Sequence, residues 1–209
     1  MRDYDSMMKE EQITFQSDGL RIEGLVSRQS GERGVVITHP HSLYGGTMYN
    51  QVVETLVRAY QNKGLTTLRF NFRGVGESEG RYSEGKGEKE DVISALRYLY
   101  GLEKSDIDLA GYSFGAWVNA HITFSDFSVS GMIMVSPPVA FLDFSFLSSD
   151  QRIKAVVAGG RDDIAPADQI SRLISTWNPA ALLEVIDGAD HFYSGKTDIL
   201  ESALSRLIR

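Results

Sequence analysis

The chain has 209 residues, no cysteine, a formal net charge of -7 and an ordinary globular share of apolar and charged residues, at 42% and 23%. The acidic balance argues against a basic nucleic-acid face. The missing thiols exclude a disulfide framework, a thiolate zinc site and a cysteine nucleophile.

The N-terminal stretch MRDYDSMMKEEQ is charged and lacks the apolar core of a secretory signal. The longest run free of Asp, Glu, Lys and Arg, Gly34–Val53, contains two histidines, a proline and a glycine pair, so it is no membrane span. A soluble, cytoplasmic protein that binds neither membrane nor nucleic acid is the expectation. Strands are predicted at Glu11–Gln16 and Leu20–Ser27, alternating in polarity and joined by Ser17-Asp18-Gly19, a hairpin signal. Further strands are predicted at Gly34–Thr38, Leu65–Phe72, Ile107–Ala110, Gly131–Val135, Ile153–Ala158 and Ala181–Ile186. Several of these are continuous apolar runs, the pattern of strands covered on both faces.

Helices are predicted between them, at Met48–Asn62, Glu88–Tyr100, Phe114–Ile122, Ala167–Thr176 and Ser194–Ile208. In the first, Val52, Val53, Leu56, Val57 and Tyr60 form one apolar stripe, and Gly64 stops it. A hairpin followed by alternating strands and helices predicts one α/β domain over residues 1–209. Its expected core is a mostly parallel sheet of about eight strands with helices on both faces.

The segment Ile107–Trp117 contains Gly111-Tyr112-Ser113-Phe114-Gly115, a G-x-S-x-G pattern with an apolar strand before it and a helical stretch after. A serine on so tight a turn has its hydroxyl projected above the sheet edge. The following helix N-terminus offers N–H groups to a developing oxyanion. Such a serine needs a base. Of His39, His41, His121 and His191, only His191 follows the last predicted strand, on the loop Asp187–Phe192 at the same sheet edge. An orienting acid is expected after Ile153–Ala158, where Gly159-Gly160-Arg161-Asp162-Asp163 offers two aspartates. Asp162 is favoured.

The second oxyanion donor, beside the N–H of Phe114, is sought in His39-Pro40-His41-Ser42-Leu43-Tyr44-Gly45-Gly46. Pro40 has no N–H, so His41 is the candidate, with Ser42 behind it. His39 is read as bracing this loop and His121 as structural. Ser42, Tyr112, Phe141 and Phe144 are candidates for lining the substrate site. The run Gly74–Gly80 follows a strand, but its spacing is wrong for dinucleotide binding and it carries two glutamates. It is read as a turn supporting the oxyanion loop, leading into a flexible acidic loop. No metal cluster and no cofactor is implied.

These pieces, HPHSLYGG (39–46), LRFNFRGVGESEG (68–80), GYSFG (111–115), GGRDDIAP (159–166) and GADHF (188–192), resemble the α/β-hydrolase superfamily over nearly the whole chain. The chain looks like the small lidless hydrolases with a His-Pro-His-x-Leu-Tyr-Gly-Gly loop. The resemblance implies a nucleophile, acid and base at Ser113, Asp162 and His191, and hydrolysis of a small-molecule acyl substrate through an acyl-enzyme. Small or medium acyl esters are expected, with thioesters, peptides or mere binding as alternatives. Two features depart from commoner patterns: Pro40 stands where many relatives carry glycine, and Asp163 doubles the acid. Ser136–Arg152 is too short for a helical cap. An exposed edge strand near the N-terminal hairpin suggests pairing with a second copy as a homodimer.

Overall fold

The computed structural model describes residues 9–123 and 126–208. Residues 1–8, on which most of the reading of the N-terminus rests, lie outside the described residues. Strands β1 (Glu11–Ser17) and β2 (Leu20–Ser27) form the expected hairpin, with Ser17 opposite Leu20 across a two-residue turn. Then follow β3 (Arg33–Thr38), α1 (Gln51–Gln61), β4 (Thr66–Phe70), α2 (Lys86–Gly101) and β5 (Asp106–Tyr112). The rest is α3 (Phe114–Ala120), β6 (Gly131–Val135), β7 (Ile153–Gly159), α4 (Ala167–Trp177), β8 (Leu182–Ile186) and α5 (Thr197–Leu207).

The strands form one eight-stranded sheet in the order β1-β2-β4-β3-β5-β6-β7-β8. Pairing is antiparallel from β1 through β2 to β4 and parallel from β4 onward. The chain moves outward from β3 to β4, then returns to place β5 on the other side of β3. At such a reversal the loops leaving the two strands diverge and open a crevice at their C-terminal ends.

Alternate side chains of each strand enter two different cores, which is why these strands read as unbroken apolar runs. Val36, Leu109, Met132, Met134 and Val156 pack with α2, α3 and α4 on one face. Val35, Ile37, Ala110, Ile133 and Val157 pack with α1 and α5 on the other. The α1 stripe predicted from sequence is the buried face of that helix.

Several helix and strand ends differ from expectation for local reasons. The α1 helix starts at Gln51 rather than Met48, because the Asn50 side chain accepts the Val52 N–H at 2.9 Å and caps it there. At the other end of the chain, α5 starts at Thr197 rather than Ser194. Tyr193 and Gly195 have positive φ (54° and 66°), and the Asp190 carboxylate accepts the Ser194 N–H, so residues 190–196 form turns. Strand β4 ends at Phe70 because the chain turns just beyond it, the Val75 N–H donating to the Phe72 carbonyl at 3.0 Å. Residues 136–152 form turns without a helix, so among the described residues no cap covers the sheet edge.

The acidic run 74–80 was expected to be a flexible loop, but it is fastened to β2. The Glu79 N–H donates to the Arg21 carbonyl, the Arg21 N–H to the Glu79 carboxylate, and the Glu77 N–H to the Glu23 carboxylate. Among the described residues, no helix is long and apolar enough to cross a membrane.

Candidate active site

Ser113 stands between β5 and α3 with φ 54° and ψ -119°, a conformation that costs a non-glycine residue about 1–3 kcal/mol. Close packing around it explains the two glycines. A Cβ on Gly111 would lie 2.6 Å from the Ala116 nitrogen, and one on Gly115 would lie 2.7 Å from the carbonyl oxygens of Thr38 and His39. The turn therefore fits directly against the end of β3, where the oxyanion loop begins.

Three loops bring the predicted residues together. The Ser113 hydroxyl donates to His191 Nε2 at 3.0 Å. His191 Nδ1 donates to the two carboxylate oxygens of Asp162 at 3.0 and 2.9 Å. All three side chains are buried, whereas Asp163 is exposed. Oδ1 of Asp162 also accepts the N–H groups of Ile164 and Ala165, at 2.9 and 2.8 Å. Burial alone would raise this carboxyl. The hydrogen bond and charge of His191, with the Ala165 N–H, outweigh it and hold Asp162 below the usual carboxylate range. The acid and histidine loops are in direct contact, with the Arg161 N–H on the Ala189 carbonyl at 2.8 Å.

The oxyanion loop follows β3. Among the described residues, the N–H groups of His41 and Phe114 have no hydrogen-bond partner. His39 is buried and carries this loop: its Nδ1–H donates to the Pro40 carbonyl at 2.6 Å, and its Nε2 accepts the Phe72 N–H at 3.0 Å. Those bonds require the neutral ring, and burial lowers the His39 pKa to about 4. The next turn is held in place too, since Arg73 pairs with the fully buried Asp91 at 2.8 Å. The His41 ring accepts the Leu43 N–H on Nδ1 and donates from Nε2 to the Tyr82 hydroxyl.

A cleft of about 620 Å³ opens over Ser113 and His191. Its walls include His41, Tyr44, Tyr112, Phe114, Phe141, Leu142 and Phe192, with no Lys, Arg, Asp or Glu among them. Tyr112 and Phe141 stand where the sequence placed them. Two expected lining residues do not. Phe144 is buried on the other side of its loop, its ring 5.2 Å from that of Trp177, because that apolar surface shields it from water. Ser42 is turned inward, its hydroxyl buried, because residues 42–44 close into a single helical turn capped by His41. His121 lies outside the cleft, bonded to the Trp117 carbonyl and packed on Phe146.

Several residues at the site were not singled out from sequence. Tyr44, Phe192 and Asn50 line the cleft, and Phe192 was recoverable because it adjoins His191. The Tyr112 hydroxyl donates to the His191 carbonyl at 2.8 Å, a contact between residues 79 positions apart that no local pattern signals. A second cleft of about 550 Å³, lined by Arg33, Asp108 and Lys154 at the opposite strand ends, contains none of these groups. Among the described residues, no three His, Asp or Glu side chains are gathered for a metal ion.

The fold that carries these three loops recurs in solved structures. The chain is 36% identical to an α/β serine hydrolase homologue from Coxiella burnetii, with a TM-score of 0.87 over 97% of this chain and 99% of that one. The chain belongs to the α/β-hydrolase superfamily. Another α/β-hydrolase, a lidless serine hydrolase from Xanthomonas campestris, matches at 26% identity and a TM-score of 0.88 over 97% and 94%. An uncharacterised protein of Rickettsia prowazekii is 33% identical over 93% of this α/β-hydrolase and 87% of its own length. No family model matches the chain.

Proposed function

We propose that this α/β-hydrolase cleaves small or medium acyl esters in two steps, with Ser113 as nucleophile, His191 as base and Asp162 as the orienting acid. The observation that carries the reading is the unbroken hydrogen-bond chain from the Ser113 hydroxyl through both ring nitrogens of His191 to Asp162. Nδ1–H is engaged by the carboxylate, so Nε2 is left unprotonated toward the serine, the tautomer a base requires. His191 takes the hydroxyl proton as Ser113 attacks the ester carbonyl. The N–H groups of Phe114 and His41 receive the negative oxygen. Imidazolium then protonates the departing alkoxide, and water repeats the cycle on the acyl-enzyme.

The uncharged walls of the cleft support a neutral acyl group, since a formal charge there would find no counter-ion. The loop 39–46 also resembles that of small lidless hydrolases, and the turns of residues 136–152, which contain no helix, suit an open site. The test is hydrolysis of aryl esters of graded acyl length, and of a matching thioester, by the wild type and Ser113→Ala. Ester turnover lost in the variant supports the reading. Turnover confined to the thioester would reassign the leaving group, and turnover unchanged in the variant would refute it.

A further inference from the structure

We propose that Tyr112 and Gln51 are positioning residues for His191, pinning the main chain of the base loop to the strand that carries the nucleophile and to the helix that follows the oxyanion loop. The inference rests on the catalytic reading of His191 above. Asp162 meets the ring at Nδ1. A contact at one ring atom does not by itself set the distance from Nε2 to Ser113. That distance also depends on where the backbone of residue 191 is held.

The Tyr193 N–H donates to the Asp190 carbonyl at 3.2 Å and closes a turn over residues 190–193. Such a turn uses the carbonyl of its first residue, so those of its two central residues need donors from elsewhere. Both find one. The Tyr112 hydroxyl donates to the His191 carbonyl and Gln51 Nε2 donates to the Phe192 carbonyl, each at 2.8 Å. These bonds join residues 79 and 141 positions apart, so neither is a by-product of local folding.

Tyr112 adjoins Ser113 in the chain, so the residue before the nucleophile ties down the base. It does so twice, because its ring also lies against the imidazole, with centroids 5.4 Å apart. Gln51 is the first residue of α1, directly after Asn50 at the cleft wall. Serine, base and cleft wall are thereby held in one frame. Tyr112 is fully buried, whereas Gln51 is exposed. Burial first, then the charges of Asp162 and Asp190, push the Tyr112 phenol well above its ordinary range, so it stays a neutral donor.

The experiment measures kcat and KM on an aryl ester for Tyr112→Phe and Gln51→Met, each alone and each combined with His191→Ala. Tyr112→Phe keeps the ring and removes the donor, so kcat falls about tenfold with KM unchanged, the scale of one hydrogen bond. Gln51→Met lowers kcat by about threefold, since water can replace an exposed amide. Combined with His191→Ala, neither falls further than His191→Ala alone, because both act through the imidazole. Gln51 lies at the surface, so Gln51→Met carries the test if Tyr112→Phe does not fold. A loss of the same factor in the His191→Ala background would overturn the proposal, as would a raised KM at unchanged kcat, or wild-type kcat beside a lowered Tm. The catalytic reading is tested separately: it fails if His191→Ala retains wild-type turnover, whereas normal kinetics in Tyr112→Phe and Gln51→Met sink only the positioning role.

Discussion

Nδ1 of His191 lies between the two carboxylate oxygens of Asp162, at 3.0 and 2.9 Å, while the neighbouring Asp163 stands exposed to solvent. The two aspartates are adjacent in sequence, and a one-residue difference decides which of them meets the ring. Asp162 is held there by the N–H groups of Ile164 and Ala165, which turn the chain back over its carboxylate.

Replacing Asp162 by Asn removes the charge and offers Nδ1 an amide N–H, which favours the wrong tautomer of His191. A fall of about 10⁴-fold in kcat is expected, as for the equivalent change in a serine protease. Asp163→Asn should keep near-wild-type turnover. Steady-state kinetics on one aryl ester measures both, and equal losses in the two variants would contradict the assignment.

The two phenylalanines of the β6–β7 loop should separate cleanly. Phe141 is 74% exposed at the cleft, so Phe141→Ala should change folding stability by less than about 0.5 kcal/mol while raising KM for longer acyl chains. Phe144 is 3% exposed against Trp177, so Phe144→Ala should cost about 3–5 kcal/mol and leave acyl-length preference unchanged. Denaturant unfolding and an acyl-length series read out both halves.

Gly115→Ala should destabilise the fold by about 1–3 kcal/mol or more, because overpacking cannot be relieved where the obstruction is backbone. The added methyl would sit 2.6 Å from the Thr38 hydroxyl and 2.7 Å from two carbonyl oxygens. A Tm within a degree of the wild type would show that the turn has more room than its contacts indicate.

Acid pH should weaken the fold partly through His39. Its pKa is about 4 when folded and about 6.5 when unfolded, so between those values the unfolded chain binds a proton that the native one refuses. Stability from this group is complete above about 6.5 and is lost as pH falls toward 4, by about 3 kcal/mol in all. The lowered pKa values of His41 and His121, both from burial, act in the same direction. Asp162, held below its ordinary range, adds its loss only at lower pH, as its own carboxylate protonates. Denaturant unfolding from pH 7 to 4 should show a shallower slope for His39→Gln than for the wild type, and identical slopes would contradict this origin.

The sequence already contained the order of elements and the four loops that meet at the site, because apolar runs, glycines and the serine pattern are local signals. It did not contain the sheet order, which depends on whether β4 pairs outside or inside β3. It could not separate Phe141 from Phe144, since both belong to one apolar loop and only the fold decides which faces Trp177. His39 was legible as a brace, but its partner Phe72 was not, and neither was the contact of Tyr112 with the His191 carbonyl. The acidic run 74–80 misled in the opposite sense, because the Glu79 carboxylate and the N–H groups of Glu77 and Glu79 are hydrogen-bonded to β2.

The central claim is that the Ser113 hydroxyl is the group that attacks. Incubation of the folded protein with a fluorophosphonate, followed by peptide mass spectrometry, tests it most directly. The account predicts one stoichiometric adduct on Ser113, abolished in Ser113→Ala and slowed by orders of magnitude in His191→Ala. No adduct in folded protein, or an adduct on another residue, would contradict it.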